Sequence, residues 1–136
     1  MFTPAKILGQ NNNEALTKPA SLAVSVYQVL DKSVTTGAVE SSGPSTTASQ
    51  KMWVSYVATT GSDGVTSVLT KEVLSSDTYV VDTVNAANAA HNGQRMLIAT
   101  GGLTLNNTGT DNTAGPFEQI ETAPALGANK IIARKV

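Results

Sequence analysis

The sequence predicts a single, mainly β domain: an antiparallel sandwich or barrel of about seven to eight short strands behind an extended N-terminal arm. Three observations predict it. Apolar residues alternate with period two in several short runs, as they must when successive side chains point to opposite faces of a sheet. Clusters of Gly, Pro, Asn and Ser punctuate those runs at close intervals. No long segment of helical periodicity separates them, which disfavours a βαβ architecture.

In chain order, residues 1–18 read as the arm and 19–136 as the β domain. Pro4 and Pro19 bracket the arm and oppose helix, Ala5–Leu8 fits one short strand, and Asn11-Asn12-Asn13 favours turns. Ser21–Lys32 predicts a first long strand, with Leu22, Val24, Val26, Gln28 and Leu30 on one face. Val34–Val39 fits an edge strand, and the Ser- and Thr-rich stretch around Pro44 a loop. Lys51–Thr60 and Val65–Ser75 flank Gly61-Ser62-Asp63-Gly64 and predict a β-hairpin. Thr78–Val84 is the next strand. The alanines of Asn85–His91 allow one or two helical turns, which Asn92-Gly93 stops. Gln94–Thr100 returns to strand, Gly101-Gly102 bends it, and Leu103 and Leu105 resume pairing. Phe117–Thr122 and Lys130–Val136 close the series across a loop holding Pro124 and Gly127.

Composition narrows the function classes. The chain has 136 residues, which fits one domain with room for a real core. Charged residues are 14%, against a usual share of about 25%, and the net charge is −1. Neither sign clusters, so the phosphate-neutralising patch that nucleic-acid binding needs is not visible. There is no cysteine, which excludes disulfides and thiolate metal sites. No stretch approaches the roughly 20 apolar residues of a membrane helix, and the N-terminus does not read as a signal peptide. A chain made in the cytoplasm, soluble until it meets a partner, is the expectation.

Residues that could carry chemistry are few. His91 is the single histidine and reads as a polar residue near a helix end. Asp77 with Asp82, and Glu118 with Glu121, fall on opposite faces of regular strands and read as solvated charges rather than as pairs aimed at one bond. The loop Leu105–Gly115 offers Asn106, Asn107, Asp111 and Asn112 as oxygen ligands, but one carboxylate and no terminal Glu make a weak cation site. Asn106-Asn107-Thr108 matches a glycosylation acceptor by chance. Trp53 and Tyr56 are read as core residues. The expectation is a protein without catalytic residues, cofactor or metal.

The opening Lys6-Ile7-Leu8-Gly9-Gln10 resembles the start of a family of small β-rich accessory proteins of tailed bacteriophages. Met52-Trp53-Val54-Ser55-Tyr56, followed by Ser76-Asp77-Thr78-Tyr79, is similar to their middle. Asn112-Thr113-Ala114-Gly115-Pro116-Phe117-Glu118-Gln119-Ile120 resembles a stretch of phage decoration proteins. The resemblance implies a structural virion protein: a homo-oligomeric decoration or cement protein on the outer capsid surface. Its partner would be the major capsid protein or another virion protein, with no nucleic acid and no membrane involved. Phe2, Ile7 and Leu8 on the arm, and Ile131, Ile132 and Val136 on the last strand, are the candidate residues that would lie on a partner by β-augmentation. A head-fibre or tail component and an adhesion or carbohydrate-binding module are the alternatives. Sparse aromatics, 4% of the chain, weigh against the sugar-binding one.

Overall fold

The structure, a computed structural model, describes residues 1–6, 13–61, 67–108 and 113–136. The chain is mainly β, as its alternation requires. Among the described residues eleven strands form two sheets, more than the seven or eight expected, because residues 1–18 supply two strands and short pairings such as Val39–Ser41 and Thr104–Asn106 stand as strands of their own. They are β1 (Phe2–Lys6), β2 (Asn13–Thr17), β3 (Val29–Lys32), β4 (Val39–Ser41), β5 (Trp53–Ser55), β6 (Ser67–Glu72), β7 (Thr78–Thr83), β8 (Arg95–Ile98), β9 (Thr104–Asn106), β10 (Phe117–Thr122) and β11 (Lys130–Lys135).

The first sheet runs β1-β7-β11-β10-β8-β9 and closes on itself through a parallel pairing of β7 with β9. Five strands thus make a small barrel. One edge of β7 is shared: Thr78–Val81 pairs with β1, while Asp82 and Thr83 pair with β9. Alternate residues point inward, namely Tyr79 and Val81, Met96 and Ile98, Leu105, Phe117, and Ile131 and Ala133, all fully buried. Phe2 joins them, with its ring 6.2 Å from Tyr79 and 5.0 Å from Phe117. Met52, Val29, Val54 and Val73, from the second sheet and its flanks, complete the same core. Each large side chain so buried contributes about 1.5–3 kcal/mol.

The second sheet runs β2-β6-β5-β3-β4, all antiparallel. Its central strands are buried on both faces. Val29 and Val54 face the barrel; Leu30 and Trp53 point away from it and pack with Leu16, Val24, Val39 and Val68. The hairpin expected from Lys51 to Ser75 is present as the β5–β6 ladder, in which Trp53, Val54 and Ser55 oppose Glu72, Lys71 and Thr70. Its Ser62-Asp63-Gly64 turn residues lie outside the described residues.

The arm expected over residues 1–18 is corrected. β1 pairs with β7 and β2 with β6, so both segments belong to sheets of their own chain. Phe2 is fully buried because the barrel rim offers it two aromatic neighbours. The strand expected over Ser21–Lys32 also shortens to β3. Tyr27 takes a left-handed φ of 57°, and Val24 makes only an isolated bridge to Thr59. Buried Gln28 replaces the missing ladder: its Oε1 accepts from Ser25 N (2.8 Å), and its Nε2 donates to Ser41 Oγ and Gly101 O (both 2.7 Å). The edge strand expected at Val34–Val39 begins only at Val39, since Ser33–Ala38 makes the turn. The helical turns expected near His91 reduce to one 3-10 turn, Ala89–His91, capped by Asn88 Oδ1 and followed by Gly93 at φ 82°.

Candidate binding groove

The outer face of the second sheet holds the main surface feature. A groove of about 570 Å³ is walled on one side by Glu14–Pro19, from β2 and its exit, and on the other by Lys32 and Gly37–Val39 of the β3–β4 hairpin. β2 and β4 are the two terminal strands of this sheet. Both border one groove, so the sheet is curled until its ends face each other. A smaller hollow of about 330 Å³ continues past Glu14 and Lys32 to Val34, Gln50, Lys51 and Trp53.

Period-two alternation places these side chains. Leu16 and Val39 turn into the apolar floor beside Leu30, Trp53 and Val68. Trp53 is only 3% exposed, and its indole Nε1 donates to Glu14 Oε2 at 2.7 Å, which fastens β2 across β6 to β5. The Lys32 and Lys51 ammonium groups stand 5.3 and 5.4 Å from the Trp53 ring centre, within cation–π range. Lys51 also meets Glu72 at 3.7 Å. Lys18 is buried to 3% and donates to Thr60 O at 3.3 Å. The groove therefore presents a mixed polar and apolar lining, strand edges unpaired among the described residues, and a modest excess of ammonium groups.

The described residues expected to lie on a partner do not share this place. Phe2 and Ile131 are inside the barrel, a correction that follows from their inward register opposite and beside Val81. Ile7 and Leu8 lie outside the described residues. Ile132 is half-buried on the outer side of the barrel, and Val136 is exposed at 39% beside Pro116.

Three of the four carboxylates singled out in the sequence, Asp77, Asp82 and Glu118, are engaged in structural contacts. Asp77 is fully buried 3.9 Å from Lys71 and accepts from Leu74 N at 3.0 Å. Asp82 meets Lys130 at 2.7 Å; burial pushes its carboxyl up, but Lys130 and the terminal ammonium outweigh that and hold it below the usual range. Glu118 pairs with Arg134 at 2.5 Å. A bulge at Ile120 interrupts the β10–β11 register before Glu121. His91 is half-buried in its 3-10 turn, its Nδ1 buried and without a hydrogen-bond partner among the described residues. Asn107 is buried and holds the Asn85–Ala86 bend, accepting from Asn85 N and donating to the carbonyls of Asn85 and Ala86. Asp111 and Asn112 lie outside the described residues. Among the described residues no three His, Cys, Asp or Glu gather as a metal site. Among the described residues no helix is long and apolar enough to cross a membrane.

One carboxyl pair was invisible in the sequence. Asp31 and Glu40 oppose each other across β3–β4, and the Thr46 hydroxyl donates to buried Asp31. Desolvation, then the charge of Asp31 and a hydrogen bond to it, push Glu40 above the usual carboxylate range.

No family model, curated protein or solved structure matches this chain.

Proposed function

We propose that this chain is a structural accessory protein of a phage-like particle, a decoration or cement protein that holds neighbouring coat subunits together on the outer capsid surface. The observation that carries the reading is the groove between β2 and β4. Its equipment is a partly apolar lining and backbone edges open among the described residues, which suit attachment to another polypeptide. The phage-like patches at Lys6–Gln10 and Asn112–Ile120 supply the context. The low charge content suits a body packed among other proteins, and repeated copies on one particle would add avidity.

The test is cosedimentation of the purified protein with capsids that lack it, followed by cryo-electron microscopy of the bound particles. Saturable binding, with density at regular positions on the outer shell, is the expected result. Density confined to a tail or a head fibre would move the protein to that role, and no binding to any particle would end the proposal.

A further inference from the structure

We infer that the seam between β2 and β4 receives an extended segment of a neighbouring polypeptide, one that carries a carboxylate among alternating apolar side chains. This deepens the binding reading above and rests on it.

The two sheets of the molecule end differently. The first is sealed, because β9 returns to pair with β7. The second is curled in the same way but, among the described residues, is not sealed: β2 is laddered only to β6, and β4 only to β3. Their outward edges border the groove from opposite sides. Open edges that face solvent invite pairing, and proteins commonly blunt them. Between them the lining is mixed: Leu16 and Val39 are each 4% exposed, while Ala15, Thr17, Pro19, Lys32 and Ala38 stand more open. Leu16 and Val39 bear the groove's apolar wall and rest on Leu30, Trp53 and Val68. An added strand alternates its side chains, so every second residue would turn onto that lining while its backbone pairs with an edge.

Charge selects among such segments. Glu14 is the one acidic residue in the walls of the groove and is already engaged by the Trp53 indole. Lys18 and Lys32 stand in the same walls, and Lys51 at the adjoining hollow. Lys51 is answered by Glu72, whereas Lys32 makes no ion pair among the described residues. A carboxylate on the incoming strand near Lys32 would supply its counter-charge. A basic strand would meet Lys18 and Lys32 together.

The test uses the full chain, immobilised, and a displayed library of random twelve-residue peptides. The expected consensus alternates apolar residues and includes one Asp or Glu. The leading peptide is then synthesised, and its binding is followed through the emission of Trp53, the single tryptophan. N-methylation of alternate backbone amides, in the register that faces the edge, should abolish binding. Lys32→Glu, at an exposed position, should weaken the acidic peptide about tenfold, and an Asp→Lys peptide should recover on that variant, while the melting temperature stays near wild type. No enrichment, a consensus without alternation or acid, or binding indifferent to N-methylation overturns the inference. Capsid binding separates it from the function above. If the protein coats particles equally well as Lys32→Glu and under saturating peptide, the seam is not the attachment site although the capsid role stands. If peptides bind as expected but no particle is coated, the seam assignment survives alone.

Discussion

Removing the charge of Asp77 should unfold this protein more readily than almost any other change of one side-chain atom. Asp77 and Lys71 are 0% and 3% exposed and 3.9 Å apart, where the β6 end of the second sheet meets the start of β7 in the barrel. At that separation and an effective dielectric of about 20, the attraction is about 4 kcal/mol. Asp77→Asn keeps an oxygen for Leu74 N but leaves the Lys71 ammonium buried with its counter-charge gone. Breaking a buried pair in this way costs about 3–5 kcal/mol, so a loss of about 3–4 kcal/mol is expected. Asp77→Ala should cost about 1–3 kcal/mol more, since the Leu74 amide then loses its acceptor as well. Adding Lys71→Met to Asp77→Asn removes the stranded charge, and the double variant should be more stable than Asp77→Asn alone. Urea unfolding followed by Trp53 fluorescence measures all four corners of the cycle. The coupling energy should be about 2 kcal/mol or more with an unchanged m-value. An Asp77→Asn chain within about 1 kcal/mol of wild type would refute the reasoning, because the pair would then be solvated rather than buried.

Three further outcomes follow from the same structure. Gly102 has φ 71°, and a Cβ there would stand 2.3 Å from the Val29 carbonyl oxygen; left-handed strain alone costs about 1–2 kcal/mol, so Gly102→Ala should lower the melting temperature severely, and a wild-type melt would contradict the register of β3 against that bend. Glu40 is held above the usual carboxylate range, so the folded state keeps its proton more tightly than the unfolded chain does. Its contribution is fully present below the unfolded value and is lost as pH rises through the folded one. The difference in stability between wild type and Glu40→Gln should therefore grow in favour of the variant from the carboxylate range toward neutral pH, and a pH-independent difference would remove the Asp31–Glu40 pair from the account. Glu14→Ala removes the acceptor of the Trp53 indole at a partly buried site, with an expected loss of about 1 kcal/mol; hydrogen exchange should quicken in Asn13–Thr17 and not in the barrel strands.

Where local pattern decides structure, the sequence was legible. Phe117–Thr122 and the Gly101-Gly102 bend stand where alternation and turn chemistry put them, and β7 and β11 each fall within one residue of theirs. What failed was non-local. Period two continues through Ser21–Gln28, yet Tyr27 adopts φ 57° and Gln28 spends its amide on the Ser41 hydroxyl and Gly101 carbonyl, contacts that depend on segments up to 73 residues away. Phe2 looked like a residue waiting for a partner because nothing near it in sequence could cover it. Its cover, Tyr79 and Phe117, comes from the far side of the chain. The groove escaped for the same reason. Glu14, Lys32 and Lys51 gather around Trp53 only because β2 and β3 lie on either side of β5 and β6, an order no local signal carries. The one available hint was the Glu14-Ala15-Leu16-Thr17 alternation next to Pro19, which fits a strand as well as it fits an arm.

β11 is the last strand in chain order, yet it lies in the middle of its sheet, between β7 and β10. A ribosome that has not yet released residues 130–136 holds a chain whose β7 and β10 each expose an unsatisfied ladder. Barrel closure thus depends on contacts of large sequence separation, which form slowly. A nascent or prematurely stopped chain ending before Lys130 would offer two sticky ribbons to its neighbours. Until β11 docks, those two open ladders are an aggregation hazard.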